Sequence, residues 1–211
     1  MSQDPSSSLT FAQVQATQSQ PARSPELLEL TKLDPSLYLD IRYATPNNFL
    51  GRPVYTEAKA FLQAPAAAAL IRAHHSLASQ GLGLLIFDGY RPWDVTHTFW
   101  NQTPSEKHLF LANPARGSRH NRGCAVDLTL CELATGAELP MPSEFDEMTE
   151  RSHIYYSGGS STERANRALL QEVMTREGFL LFDPEWWHFD HPDWPFYGLL
   201  NLTFAELAAT Q

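Results

Sequence analysis

The stretch Ser118-Arg119-His120-Asn121-Arg122-Gly123-Cys124-Ala125-Val126-Asp127-Leu128-Thr129-Leu130 decides how this chain is read. Its second half, Ala125 to Leu130, is rich in β-formers and predicts a buried strand. Gly123 permits a backbone turn just ahead of it. That turn puts His120 on the approach to the strand and Asp127 within it. A carboxylate between Val126 and Leu128 carries a large desolvation cost unless it is paired or bound to a metal. On this segment alone two readings stay open: an aspartate at a strand mouth bonded to backbone amides, or part of a metal site.

Two further segments bear on that choice. Pro184-Glu185-Trp186-Trp187-His188-Phe189 sets a histidine among large aromatics, which suits a satisfied core residue or a ligand. The glutamate three residues ahead favours the ligand. Catalytic zinc sites commonly use three His or carboxylate ligands and leave a position for water. They also need a carboxylate that does not bind the metal, to take the water's proton. His120, Asp127 and His188 supply the ligands and Glu185 the base. Residues i and i+3 of a regular strand face opposite sides, so Glu185 and His188 converge only if the strand twists, bulges or begins after Glu185. The third segment, Asp88-Gly89-Tyr90-Arg91-Pro92, follows an apolar run and places Arg91 at a strand end. A guanidinium there stabilises an oxyanion, or else forms a surface ion pair with Asp88 or Asp94.

The surrounding elements mix strands and helices without a regular βαβ alternation, which predicts an α+β domain. Leu37 to Tyr43 and Leu84 to Asp88 read as strands, as do Phe179 to Phe182 and Trp186 to Phe189, with Pro184 in the turn between the last two. Helices are predicted over 57–79, with Pro65 starting or kinking it and Gly81 and Gly83 closing it, over 95–111 with Pro104 interrupting, and over 163–177 with Gly178 as C-cap. Residues 1–25 are polar, contain Pro5, Pro21 and Pro25, and predict a flexible tail; 26–211 is then the functional domain.

A chain of 211 residues with 43 % apolar and 18 % charged residues fits one soluble domain. Its formal charge of −9 repels phosphate backbones, which argues against nucleic acid. Cys124 and Cys131 lie roughly 23 Å apart on an extended strand, too far to bridge, so both read as reduced thiols. No run is long and apolar enough for a membrane span, and the first twenty residues do not resemble a signal peptide. The cytoplasm is therefore expected, or the periplasm for a processed chain. Of the eight histidines, His74, His75, His97 and His108 sit on predicted helices beside polar residues and are expected at the surface. No GxSxG nucleophile motif is present.

At its three motifs the sequence resembles the D-alanyl-D-alanine dipeptidases of the vancomycin-resistance type, within the zinc D,D-peptidases. The resemblance runs from about Leu37 to about Asp190. Ser-x-His-x-x-Gly-x-Ala-x-Asp is shared by the whole set. Glu-Trp-Trp-His is more particular to the dipeptidases, as are Phe145-Asp146-Glu147-Met148 and Glu150-Arg151-Ser152-His153. The resemblance implies a single domain with a central, mainly antiparallel sheet flanked by helices, of hedgehog-like type. It implies one zinc ion on His120, Asp127 and His188, with Glu185 as general base and Arg91 as oxyanion stabiliser. Tyr43 and Asp146 would receive the substrate's amino group, Ser118 would sit near its carboxylate or reacting end, and His153 would lie in the pocket wall or behind it. The stretch between Arg91 and His120 is shorter than in the best-known members, and the tract 157–161 is rich in Gly and Ser, suggesting a mobile edge. The reaction implied is hydrolysis of a small dipeptide to two D-alanines. Its rivals are a D,D-carboxypeptidase or endopeptidase on peptidoglycan peptides, and a non-catalytic zinc-binding module.

Overall fold

The computed structural model describes residues 5–209. In chain order its strands are β1 (Leu27–Glu29), β2 (Tyr38–Leu39), β3 (Phe61–Gln63), β4 (Leu82–Asp88), β5 (Ala125–Glu132), β6 (Leu180–Phe182) and β7 (Glu185–Asp190). The helices are α1 (Phe11–Thr17), α2 (Leu30–Leu33), α3 (Ala64–Leu77), α4 (Trp93–Gln102), α5 (Ser161–Arg176) and α6 (Phe204–Ala208). Five strands form the main sheet in the order β2-β4-β5-β7-β6, and β1 pairs with β3 apart from it. Only β2 runs parallel to its neighbour, β4; the other three pairings are antiparallel. This is the mainly antiparallel α+β domain that the sequence implied.

β4 and β5 are buried along almost their full length, which is why their sequences read as near-continuous apolar runs. Along β5, Val126, Leu128 and Leu130 face one side of the sheet and Asp127 and Thr129 the other. α3 packs against α5 and β4, while α5 reaches β5 and β7. Leu70 and Leu77 of α3 meet Leu170, Val173 and Met174 of α5 in the same core. Ser160 begins α5 with a capping box that pairs it reciprocally with Glu163. Among the described residues no helix is long and apolar enough to cross a membrane.

Several expectations are corrected. The helix predicted from residue 57 begins at Ala64, with Pro65 in its first turn; Phe61–Gln63 ahead of it is a strand paired with Leu27–Glu29. A short apolar run suits either state, and here the distant partner strand decides. Gly81 ends the helical stretch in a left-handed conformation, but Gly83 lies inside β4. Of the strand predicted over 37–43 only Tyr38 and Leu39 pair; Arg42–Ala44 turns into a short 3-10 segment that buries Tyr43. The tail predicted over 1–25 contains α1, whose Val14 is 2 % exposed. His74 is buried rather than exposed: its Nδ1 accepts from the Leu84 amide at 3.0 Å and its Nε2 meets Ser36 Oγ at 3.0 Å. His97 stacks on Trp93 and His108 bonds to the Trp100 and Thr103 carbonyls, so both are half-buried, whereas His75 is exposed as expected. Both cysteines are free and buried.

Candidate metal centre and active site

The register of the sheet assembles the site. Asp127 on β5 lies directly opposite His188 on β7. A register shift between Ile86 and Asp88 brings Asp88 opposite Asp127 from the other side. His120 comes from a short turn, His120–Arg122, that ends at Gly123 with φ +67°. Its ring Nδ1 donates to the Gly89 carbonyl at 2.7 Å, which leaves Nε2 facing the site. In His188 the roles are reversed: Nε2 donates to Asp190 Oδ1 at 3.0 Å and Nδ1 faces inward.

The three inward atoms form a small triangle. His120 Nε2 lies 3.1 Å from His188 Nδ1 and 3.4 Å from Asp127 Oδ1, and His188 Nδ1 lies 3.0 Å from Asp127 Oδ1. Ligands about 2.0–2.1 Å from a tetrahedral zinc stand about 3.3 Å from one another, so the triangle fits such an ion. Among the described residues these three form the one His/Cys/Asp/Glu group able to hold a metal. Burial works to raise the Asp127 carboxyl, but His120 and His188 outweigh it and hold it well below the usual range. Burial opposes a charge on His188, yet Asp190 and Asp127 raise the imidazole well above its ordinary pKa. The site thus demands positive charge among its carboxylates, as protons or as a divalent cation.

Glu185 opens β7, and its Oε2 stands 3.8 Å from His188 Nδ1. The convergence that a regular strand forbids is achieved by an irregularity: Leu181 pairs with Phe189 but Phe182 already pairs with Glu185. Burial, with Asp127 and Asp146 nearby, pushes the Glu185 carboxyl up to about 8 against the pull of His188. Proton acceptors work best with a pKa near the operating pH, and a cation beside the carboxylate would bring it lower.

Arg91 lies between Asp88 and the triangle. Its Nε and Nη2 both donate to Asp88 Oδ2, at 2.9 and 2.8 Å, and Nη2 stands 3.6 Å from Asp127 Oδ2. The Asp88 ion pair therefore exists, but it is buried rather than on the surface. The guanidinium also lies 5.2 and 4.9 Å from the ring centres of Tyr43 and Phe99. Asp88 Oδ1 accepts from Tyr55 Oη at 2.8 Å and from the Gly89 amide at 2.9 Å, which anchors the clamp. Tyr43 Oη donates to Asp146 Oδ2 at 2.9 Å. Asp146 has φ +59°, the left-handed region, and is the one non-glycine residue with positive φ among the described residues. Burial, aided by the Asp127 charge, raises its carboxyl to about 7.

A cavity of about 530 Å³ is lined by Tyr43, Arg91, Ser118, Asp146 and Glu185 together with all three triangle residues. All eight residues singled out from sequence therefore meet in one place. His153 and the tract 157–161 do not line it. Cys124 contributes no ligand: burial pushes its thiol up to about 12, and Sγ faces the Arg122 carbonyl at 3.6 Å. Sequence reasoning assigned no role to Asp190, Asp88 as an anchor, Tyr55 or Asn121. Asn121 Nδ2 donates to the Arg91 carbonyl at 2.8 Å and ties the His120 turn to the Arg91 strand end. Asp190 was within reach of sequence reasoning, because i and i+2 share a strand face with His188.

Comparison with known proteins gives the family. The peptidase M15 family, described as D-ala-D-ala dipeptidase, matches residues 23–209. A D-alanyl-D-alanine dipeptidase of Escherichia coli (strain K12) is 37 % identical over 180 residues, covering 85 % of this chain and 92 % of that protein. One of Enterococcus faecium is 38 % identical over 175 residues, covering 74 % of this chain and 87 % of that protein. One of Enterococcus faecalis (strain ATCC 700802 / V583) is 37 % identical over 175 residues, with the same two coverages. Matched over residues 23–209 and 37 % identical to the Escherichia coli protein over most of both chains, the chain belongs to the D-ala-D-ala dipeptidase family of M15 metallopeptidases.

Proposed function

We propose that this enzyme hydrolyses the dipeptide D-alanyl-D-alanine to two D-alanines, with one zinc ion per chain held by His120, Asp127 and His188. The observation that carries this reading is the His120–Asp127–His188 triangle with Glu185 3.8 Å from its His188 corner and Arg91 3.6 Å from the other carboxylate oxygen of Asp127, inside one cavity. His120, Asp127 and His188 would hold the ion, which when bound would supply Lewis acidity for a water and the amide carbonyl. Glu185 takes the proton of the attacking water and passes it to the leaving amine as the C–N bond breaks. Arg91 faces the negative charge that develops on the carbonyl oxygen. Asp88 holds the arginine by two bonds to one carboxylate oxygen.

At the substrate's N-terminal end, Asp146 and Tyr43 receive the free ammonium. A longer peptide would bury the Asp146 carboxylate without its partner, which favours a dipeptidase over a carboxypeptidase or endopeptidase. Ser118 lines the same cavity and would meet the substrate's carboxylate or reacting end. D-Ala-D-Ala and L-Ala-L-Ala are assayed side by side on chelator-stripped protein with and without added zinc. Zinc-dependent cleavage of the D,D form alone supports the proposal. Silence on both with zinc bound overturns it. Cleavage of a longer peptide ending in D-Ala-D-Ala would point to the peptidoglycan enzyme.

A further inference from the structure

We infer that the N-terminal arm, Ser6 to Gln18, braces the outer wall of the substrate cavity and so sets the KM of the enzyme; this rests on reading the cavity as the dipeptide site. The family match begins at residue 23, so the arm lies outside the matched catalytic region. Its helix α1 is ordered by a capping box between Thr10 and Gln13, and Phe11 and Val14 share one helix face. That face packs on Trp93 and Leu199, and the two ends of the arm reach Asn113 and Arg122, which bracket the segment carrying Ser118 and His120.

Contacts run along the whole arm. At its start Ser6 Oγ donates to Asn113 Oδ1 at 3.2 Å. Asn113 heads the wall's turn, since its Oδ1 also accepts from the Ala115 amide and its carbonyl accepts from the Arg116 and Gly117 amides. In the middle, Val14 joins Trp93 and Leu199 in a buried cluster separate from the main core, and the Phe11 ring lies 5.8 Å from that of Trp93. Both partners bear on the wall. Trp93 Nε1 donates to the Pro114 carbonyl at 2.9 Å. Leu199 fills the space beside Gly117, where a Cβ would lie 2.4 Å from its side chain. At the far end Gln18 Oε1 accepts from Arg122 at 3.0 Å, two residues past His120.

The metal ligands have supports of their own in the β5–β7 register and the Gly89 carbonyl. The turn 113–118 rests on the cluster that the arm completes. Loosening the arm therefore displaces the Ser118 wall and weakens substrate binding while leaving the chemistry in place.

The test is the double variant Phe11→Ser/Val14→Ser in the full-length zinc-loaded enzyme. KM for D-Ala-D-Ala is expected to rise about five- to tenfold with kcat within about twofold. Hydrogen exchange at residues 113–118 should quicken, and zinc content should not change. Unchanged KM and exchange overturn the inference, as does a fall in Tm with both kinetic constants intact, or a loss of kcat with loss of zinc. If the double variant fails to fold, Ser6→Ala and Gln18→Ala carry the same test, removing the contacts to Asn113 and Arg122. Native enzyme that does not cleave D-Ala-D-Ala refutes the functional reading alone, because exchange at 113–118 still decides whether the arm braces the wall.

Discussion

Asp88→Asn removes one buried charge and almost no volume. The Asp88 side chain is 1 % exposed and Arg91 10 %, so solvent screens the pair little. Breaking a buried ion pair from one side typically costs about 3–5 kcal/mol, because the other charge stays buried without compensation. Here Arg91 keeps Asp127 at 3.6 Å and the faces of Tyr43 and Phe99, so the lower end, about 3 kcal/mol, applies. For a chain of this size that lowers Tm by roughly 6–12 °C. Urea and thermal unfolding of zinc-stripped protein measure it without the contribution of metal binding. Asp88→Asn/Arg91→Met, which leaves no orphan charge, should recover part of the loss. Activity of the zinc-loaded single variant should fall about 10²–10³-fold, the range for a lost oxyanion donor. A stability loss under about 1 kcal/mol, or a double variant less stable than the single, would refute the buried clamp.

Three other perturbations separate the roles of the neighbouring carboxylates. Asp190→Asn should weaken zinc binding about 10–100-fold, read by competition with a chromogenic chelator; an unchanged affinity would remove Asp190 as the group orienting His188. Glu185→Gln should lower kcat by about 10²–10⁴ while zinc stoichiometry holds, and near-native turnover would disqualify Glu185 as the base. Asp146→Asn tolerates the left-handed backbone and can still accept the Tyr43 bond. Because the folded Asp146 carboxyl is raised to about 7, the fold binds its proton more tightly than the unfolded chain does. Ionising it costs stability that is absent below the unfolded value of about 3.9, grows as pH rises, and levels off above the folded value. The stability advantage of zinc-stripped Asp146→Asn over native protein should therefore grow from about pH 4 to about pH 7 and then plateau, and a pH-independent difference would contradict the buried, raised carboxyl.

The residues that meet in the cavity were legible as candidates because each sits in a local pattern: His120 and Asp127 around a glycine turn entering an apolar strand, His188 and Glu185 in one aromatic run, Arg91 at the end of another strand. Burial of a charged side chain in a β-rich stretch is a local signal and needs no knowledge of partners. The same locality explains the errors. Phe61–Gln63 is too short for its periodicity to separate strand from helix, and its partner Leu27–Glu29 lies more than thirty residues away. His74 looked like a polar helix face until β4 supplied the Leu84 amide.

By itself the sequence determined the residue types of the site, the strand that carries Asp127 and the α+β class, since these follow from side-chain chemistry and short-range pattern. Only the tertiary structure decided that Asp127 stands opposite His188, that one histidine offers Nε2 and the other Nδ1, and that an irregularity in β6–β7 turns Glu185 toward His188. It likewise decided that a polar N-terminal stretch folds against the cavity wall. Register, tautomer and docking are set by hydrogen-bond partners far away in the chain, and no window of neighbouring residues contains them.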